Sequence, residues 1–328
     1  MRPDASSFLR RSRVPPWALL AAALAAAGAW HLAEPRLTRR APAATGLATR
    51  AAAAEARMTA SAVFLAEAKR AAGLPRPEGV LDREAGLVGA ELTPLVTTLG
   101  SLEAKRLSVS PRWAGELVLR LHRAGVGEGD VVAASFSGSF PGLDLAVVAA
   151  CAELGVKLVA VSSVTASTWG ATEPGFTWPE MEARLVAAGI VPRASAAVSA
   201  GGEDDAATDL EPGARSLAER IARDSAAALG AEPLAPATLE ESIRRRLDLY
   251  ARHSGGRPLA LYVNCGGNQA SLGRSSSFLR LRTGFLRGMP FDVGEDRGVM
   301  ARLAARGVPV LHLLNVRDLA LRWGVSLQ

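Results

Sequence analysis

The sequence contains little cysteine and histidine, and this scarcity narrows the chemistry open to the chain. Its two cysteines, Cys151 and Cys265, form no Cys-x-x-Cys pair and match no metal-ligand spacing. We expect Cys151 to be a buried free thiol, although an oxidising compartment would allow a disulfide. Only four histidines occur, and no His-Glu-x-x-His motif is present. The sequence therefore predicts no metal site and leaves any cofactor unknown.

Several common catalytic signatures are also missing. There is no Walker A loop and no Gly-x-Ser-x-Gly elbow. Gly125, Gly127 and Gly129 precede a predicted strand, whereas the dinucleotide fingerprint follows one. His312 is placed near the end of a predicted strand, where a core histidine is the favoured interpretation and a cleft histidine the alternative. Familiar nucleotide-binding and serine hydrolase mechanisms are thus not indicated.

The charge distribution argues against a nucleic-acid partner. The net charge is +6, but residues 1–57 carry nine arginines against three acids and hold all of this excess. The remaining 29 basic and 29 acidic residues balance each other. A neutral main domain lacks the basic footprint of nucleic-acid binding, while arginines beside a hydrophobic segment fit contact with a membrane.

The N-terminus contains twenty residues without formal charge, from 14 to 33. A helix of that length spans a bilayer, and Trp17 and Trp30 flank the run as interfacial aromatics do. We predict an N-terminal anchor or signal at 1–33, a linker at 34–50 and an α/β domain at 51–328. The arginines before the run favour an extracytoplasmic domain on a single-pass inner-membrane protein. Secretion after cleavage near residues 27–29 and a soluble amphipathic helix are the alternatives.

Beyond the linker, short apolar strands alternate with helices. Strands are predicted at 131–135, 158–162, 194–199, 259–263 and 308–313. Helices are predicted at 51–72, 111–124, 141–154, 178–188, 214–229, 238–253, 295–306 and 316–323. Continuous apolar strands between helices are typical of a mostly parallel sheet with helices on both faces.

Polar, glycine-rich loops follow these strands, and ligands of open α/β sheets bind at the carboxyl ends of strands. We therefore expect the loops at 136–142, 163–171, 201–205 and 264–271 to share one cleft. The candidate ligand-binding residues in these loops are Ser137, Gly138, Ser139, Ser163, Thr165, Ser167, Gly201, Gly202, Asn264, Gly266, Gly267 and Asn268. Ordinary capping and tight turns are the alternative explanation.

An anionic ligand is favoured by the loop at Ser137–Ser139, which precedes a predicted helix N-terminus. An upstream polar segment adds Thr97, Thr98, Lys105 and Arg106 as candidate binding residues, with the two cations as counter-charges. Residues 265–291 also contain four arginines and no acid. This local cationic stretch suits a carboxylate-rich partner, although a solvated loop explains it equally well.

The candidate catalytic residues are few. Ser137 or Ser139 could act as a nucleophile, and Glu203 or Asp204 as a base. Asn264 and the amides of Gly266 and Gly267 could then stabilise an oxyanion. Consecutive acids after two glycines are also typical of a solvated loop, and no obvious Ser–His pair is present. Binding without chemistry is therefore slightly favoured.

Seven segments, in order, carry a resemblance to a known family. They are LTPLVTTLGSLEAKR (92–106), SFSGSFP (135–141), SSVTASTWGA (162–171), FTWPEME (176–182), GGED (201–204), NCGG (264–267) and HLLNVRDLAL (312–321). Together they resemble the poly-gamma-glutamate system protein family, a membrane-anchored component of bacterial poly-γ-glutamate capsule biosynthesis. The resemblance covers about residues 57–328 and implies a pathway, but it assigns no catalytic residue.

The resemblance implies an accessory role in poly-γ-glutamate synthesis, export or attachment. The expected partners are the polymer or a glutamate-like anion, the membrane, and other proteins of poly-γ-glutamate synthesis. Two other functions remain open. One is a hydrolase or transferase acting on γ-glutamyl amide bonds, and the other is a membrane scaffold for synthase subunits.

Overall fold

The computed structural model describes residues 44–274, 278, 280–288 and 297–326. The predicted anchor or signal at 1–33 lies outside the described residues. Among the helices that are described, none combines the length and the apolar character needed to cross a membrane.

The main sheet is assembled from strands on both sides of a central strand. Its described strands are β2 (Val131–Phe136), β3 (Lys157–Ser163), β5 (Ser195–Ser199), β6 (Glu232–Leu234), β7 (Leu259–Cys265), β8 (Gly284–Leu286) and β9 (Val310–Leu313). They lie in the order β6-β5-β3-β2-β7-β9-β8. Only β8, at one edge of these described strands, is antiparallel to its neighbour. The predicted mostly parallel α/β sheet is confirmed.

Helices cover the two faces of this sheet. The described helices are α1 (Ala44–Ala71), α2 (Leu102–Ser108), α3 (Arg112–Arg123), α4 (Pro141–Leu154), α5 (Trp178–Ala187), α6 (Pro212–Leu229), α7 (Leu239–Ser254), α8 (Gln269–Leu272), α9 (Val299–Ala305) and α10 (Val316–Trp323). Successive side chains of a strand point to opposite faces. Accordingly, Val132 and Ala134 pack in a core with α3 and α4, whereas Val131 and Ala133 pack with α7 and α9.

A second, two-stranded sheet lies beside the carboxyl ends of the main strands. It pairs β1 (Val96–Thr98) with β4 (Ala166–Ser167) in parallel. The Thr168 amide N–H donates to the Thr98 carbonyl at 2.9 Å and extends this pairing. The sequence did not predict either strand, because they are only 3 and 2 residues long and lack a periodic pattern. Their pairing places Thr97 and Thr98 next to the loop after β3.

The boundary of the predicted linker at 34–50 requires a correction, because residues 44–50 already belong to α1. Alanine favours helix, and this helix packs on the domain through Ala54, Met58 and Leu65, which are all fully buried. Arg50 also donates to the Glu153 carbonyl at 3.1 Å. The α/β domain therefore includes the last part of the predicted linker.

Candidate functional site

A cleft of about 340 Å³ opens at the carboxyl ends of β2, β3, β5 and β7. From β2 the chain adds β3, β5 and β6 on one side of the sheet, and it then returns to add β7 and β9 on the other side. The cleft therefore lies at the topological switch point of the sheet. All of the predicted strand-end loops contribute to it. The predicted site residues in its wall are Thr97, Thr98, Ser137, Ser139, Thr165, Gly202, Glu203, Gly267 and Asn268.

The loop after β2 turns the chain from the sheet into α4. Gly138 has a φ of +63°, a conformation that only glycine adopts readily. Ser137 Oγ accepts a hydrogen bond from the Ser139 amide N–H at 3.2 Å. Pro141 lies in the first turn of α4, where a missing N–H costs nothing. Ser137 and Ser139 therefore face the cleft just before a helix N-terminus, whose dipole favours an anion.

The loop after β3 presents a hydroxyl that the fold does not use. Thr165 is only 3% exposed, lines the cleft, and its Oγ1 has no hydrogen-bond partner among the described residues. Ser163, in contrast, accepts from Asn268 Nδ2 at 2.7 Å, and its Oγ lies 3.2 Å from Ser199 Oγ. Ser163 thus ties the loops together, whereas the Thr165 hydroxyl is available to a ligand.

The loop after β5 is held in an unusual backbone conformation. Gly201 and Gly202 have positive φ, and so do the non-glycine residues Asp204, Asp205 and Ala207, at 57°, 61° and 53°. Each such non-glycine residue costs about 1–3 kcal/mol and persists only where its surroundings fix it. Strained backbone of this kind is concentrated at functional sites. In this conformation the loop contributes Gly202 and Glu203 to the cleft wall.

A buried ion pair fixes this strained loop to the sheet. Arg246 on α7 and Asp205 are both fully buried, and the Arg246 Nη2 lies 2.7 Å from Asp205 Oδ2. Arg246 also donates to Ser199 Oγ at 3.0 Å and to Ser135 Oγ at 3.2 Å. Tyr262 donates to the same Ser135 hydroxyl at 2.8 Å. The network therefore joins the ends of β2, β5 and β7 beneath the cleft.

The two acids predicted as bases have different surroundings. Glu203 lines the cleft, and its amide N–H donates to Asp209 Oδ1 at 2.9 Å. Asp204 forms an ion pair with Arg274, and its amide N–H donates to Gln269 Oε1 at 2.7 Å. Asp204 is therefore held as a partner of Arg274, and Glu203 is the acid that faces the cleft.

Asn264, near the end of β7, is not part of the cleft wall. The Asn264 amide nitrogen donates to the Gly266 carbonyl at 2.9 Å and lies 3.0 Å from His312 Nδ1. Burial lowers the pKa of His312 to about 4, so its imidazole is neutral near neutral pH. A Cβ on Gly266 would lie 2.0 Å from Ser137 Oγ, so glycine is required for the two loops to pack. Asn264 and Gly266 support the cleft but are not part of its wall.

Lys105 lies beneath the site as a buried group. The side chain is 2% exposed and donates to the Ser139 carbonyl. Its Nζ lies 2.6 Å from Ser167 Oγ and 4.2 Å from the centre of the Phe140 ring. Burial lowers the pKa of Lys105 to about 7. Lys105, which the sequence analysis named as a candidate counter-charge for an anion, is thus enclosed by protein groups, and burial disfavours its charged form.

Arg106 points to a different part of the surface. Its Nε donates to Glu84 Oε2 at 2.8 Å, and this hydrogen bond to the Glu84 carboxylate raises the pKa of Arg106. Arg106 lines a separate cleft of about 240 Å³, together with Val63 and Pro111. Lys105 and Arg106 are adjacent in the sequence, but their side chains lie on different faces of α2 and contact different parts of the protein.

Several cleft residues were not identified as site residues from the sequence. Asp209, Gln269 and Phe278 line the cleft without belonging to a recognisable motif. Arg274 also lines the cleft, and its side chain is 47% exposed. It belongs to the arginine-rich stretch at 265–291, which was the feature of the sequence that could have identified it. The described part of the wall therefore carries one cation, Arg274, which is paired with Asp204, and two acids, Glu203 and Asp209.

No group of three or more histidine, cysteine or acidic side chains that could hold a metal ion is found in the ranges that the structure describes. The fold and the cleft define an α/β protein with a polar site at the switch point of a mostly parallel sheet. Comparisons of the chain with protein-family models, with curated proteins and with solved structures gave no match.

Proposed function

We propose that this chain is an accessory component of poly-γ-glutamate synthesis, export or attachment, and that its strand-end cleft binds a carboxylate-bearing part of the polymer. The pathway assignment rests on the resemblance of the seven sequence segments. We further propose that residues 1–33 attach an extracytoplasmic domain to the membrane, where it acts with other synthesis proteins.

One observation carries the ligand proposal: the buried hydroxyl of Thr165 in the wall of the cleft, which has no partner within the part of the chain that the structure describes. A buried polar group without a partner costs about 1–3 kcal/mol, so its retention in a cleft favours a ligand that satisfies it. Ser137 and Ser139 add polar groups at the N-terminus of α4.

The charges of the cleft suit a γ-linked glutamate unit. Such a unit carries a free α-carboxylate and a backbone amide. Arg274 is paired with Asp204 but is 47% exposed, so its remaining N–H groups can meet the carboxylate in a charge-assisted hydrogen bond, and Glu203 can accept from the amide N–H. A wall that carries both a cation and an acid fits a ligand with both a carboxylate and an amide N–H better than a ligand with negative charges alone.

Replacing Thr165 with valine tests this proposal, because valine keeps the shape of threonine and removes only the hydroxyl. Since none of the described residues is a hydrogen-bond partner of Oγ1, we expect the melting temperature to be unchanged or slightly raised. Loss of a ligand hydrogen bond worth about 0.5–1.5 kcal/mol should weaken binding by about two- to twelvefold. Titration calorimetry of the full-length chain with γ-linked glutamate oligomers measures this change.

Thr172 provides a matched control. It is fully buried and its hydroxyl also lacks a partner among the described residues, but it does not line the cleft. Thr172→Val should therefore bind the oligomers as the unsubstituted chain does. If Thr165→Val and Thr172→Val bind the oligomers with equal affinity, the proposed site is wrong. If the unsubstituted chain does not bind the oligomers, the proposed site is wrong as well.

A second function, hydrolysis or transfer at γ-glutamyl amide bonds, is favoured by a different observation. Ser137 Oγ and Ser139 Oγ accept from neighbouring amide N–H groups, and Asp204 is held by Arg274. Among the serines that the sequence placed in the site, Ser167 contacts a basic side chain, since its Oγ is 2.6 Å from Lys105 Nζ. If the chain is an enzyme, Ser167 is the better candidate nucleophile.

A further inference from the structure

Ser167 and Lys105 form a close contact at the margin of the cleft. Ser167 belongs to β4, directly after Ala166, which lines the cleft, and its hydroxyl lies 2.6 Å from Lys105 Nζ. The Ser139 carbonyl accepts from the same amine, and Ser139 is itself part of the cleft wall. The lysine is therefore held in one orientation between a backbone carbonyl and a serine hydroxyl.

The surroundings favour the neutral form of this amine. Burial is the largest influence on Lys105 and lowers its pKa to about 7. Asp144 opposes this effect, but burial raises the pKa of Asp144 well above its ordinary value and so disfavours its carboxylate. A neutral lysine has one lone pair to accept the Ser167 proton and two N–H groups, one of which can donate to Ser139.

The exposed residue Gly100 packs against the pair. A Cβ on Gly100 would lie 2.9 Å from the Thr168 carbonyl oxygen and 3.1 Å from both Ser167 Oγ and Lys105 Cε, so a side chain here would crowd the pair. Ser167 is 8% exposed, and both Ala166 and Thr98 beside it line the cleft. An acyl donor bound in the cleft would reach Ser167 from this side.

We propose that Ser167 and Lys105 are the nucleophile and the general base of an acyl-transfer site at the edge of the strand-end cleft. This inference depends on the proposed function only for the acyl donor, which is then a γ-glutamyl amide. The serine–lysine arrangement and its chemistry do not depend on that identity.

The reaction balances with water or an amine as the second substrate. Ser167 Oγ attacks the amide carbonyl carbon while its proton moves to Lys105 Nζ. The carbon–nitrogen bond then breaks, and the leaving amine takes that proton from Lys105. Water or a second amine attacks the resulting ester on Ser167, and its proton passes through Lys105 back to the serine oxygen. Water gives hydrolysis, and an amine gives transfer.

A fluorophosphonate probe tests the pair without knowledge of the natural acyl donor. We expect the full-length chain to form one covalent adduct, located on Ser167 by peptide mass spectrometry. The rate should increase with pH around 7 as Lys105 becomes neutral. Ser167→Ala should lose the adduct, and Lys105→Met should react about a hundredfold more slowly, the lower end of general-base contributions.

Substitutions at two glycines test whether the packing around the pair matters. Gly100→Ala should slow labelling, because its methyl group would lie 3.1 Å from both Ser167 Oγ and Lys105 Cε and would crowd the pair. Gly127→Ala is the matched control, since a Cβ at Gly127 meets nothing within 4 Å. If Lys105→Met does not fold, the pH profile of the unsubstituted chain decides instead. An absent adduct, an adduct on another serine, or a rate that does not vary with pH would overturn the assignment.

The two proposals can fail independently. Oligomer binding that Thr165→Val weakens, without labelling of Ser167, would leave a binding protein and remove the acyl-transfer site. Labelling of Ser167 without oligomer binding would retain the serine–lysine pair and remove γ-glutamate as its acyl donor.

Discussion

Replacing Asp205 with asparagine is expected to lower the free energy of unfolding by about 3–5 kcal/mol, the usual cost of leaving a buried charge without its partner. The Arg246 guanidinium is fully buried, and burial is the largest single influence and opposes its charge, but Asp205 together with Tyr250 and Tyr262 offsets this, so the pKa of Arg246 is raised. An asparagine in its place cannot supply the compensating charge. Urea denaturation of the two chains measures the difference.

The exposed pair of Arg215 and Glu219 is a suitable control. Their side chains are 44% and 38% exposed, and the Nε–Oε1 distance is 3.0 Å. Glu219→Gln should cost less than about 0.5 kcal/mol, because solvent screens such pairs. A double variant, Asp205→Asn with Arg246→Met, should be less destabilised than Asp205→Asn alone. A loss below about 1 kcal/mol for Asp205→Asn would show that the network does not hold the loop as described.

The second large effect concerns the pH dependence that Lys105 gives to stability. Its pKa is about 7 in the folded chain and 10.5 ordinarily. Between these values the unfolded chain binds a proton that the folded chain does not, so stability rises with pH. Below about pH 7 both states are protonated and the contribution is constant. The stability of the unsubstituted chain relative to Lys105→Met should therefore rise by about 1.4 kcal/mol per pH unit from about pH 7.5 to 9.

Guanidinium denaturation at pH 7.5, 8.0, 8.5 and 9.0 provides the required differences. Taking the difference between two chains removes the titration of cysteine and tyrosine, which both chains share. Lys157→Met, at an exposed position, controls for the loss of one lysine. If the difference in unfolding free energy between the unsubstituted chain and Lys105→Met stays constant or falls as the pH rises, Lys105 is not buried as an uncharged amine.

The layers of the fold could be predicted because they depend on local patterns. Continuous apolar stretches such as Val131–Phe136, followed by helices, specify buried parallel strands. The short elements could not be predicted in the same way. The strand Val96–Thr98 exists through its pairing with residues about seventy positions later, and a three-residue segment carries no period. Tertiary pairing, rather than propensity, determines such elements.

The sequence could predict those site residues whose location follows from their position after a parallel strand. Ser137 and Thr165 follow neighbouring parallel strands, so they meet at the same sheet edge. The orientation of Asn264 depends on His312 on an adjacent strand, which no local pattern reveals. The burial of Lys105 likewise depends on how the short helix α2 packs against Phe140. Ion pairs such as Asp205–Arg246 join distant parts of the chain and need the folded structure to be seen.

Hydrogen–deuterium exchange of the full-length chain with γ-linked glutamate oligomers tests the central claim most directly. A ligand in the strand-end cleft should slow exchange in peptides covering 137–140, 164–168, 201–205 and 267–274. Peptides covering 106–111, beside the cleft lined by Arg106, should be unaffected. Protection confined to 106–111, or no protection at a saturating oligomer concentration, would contradict the proposed cleft.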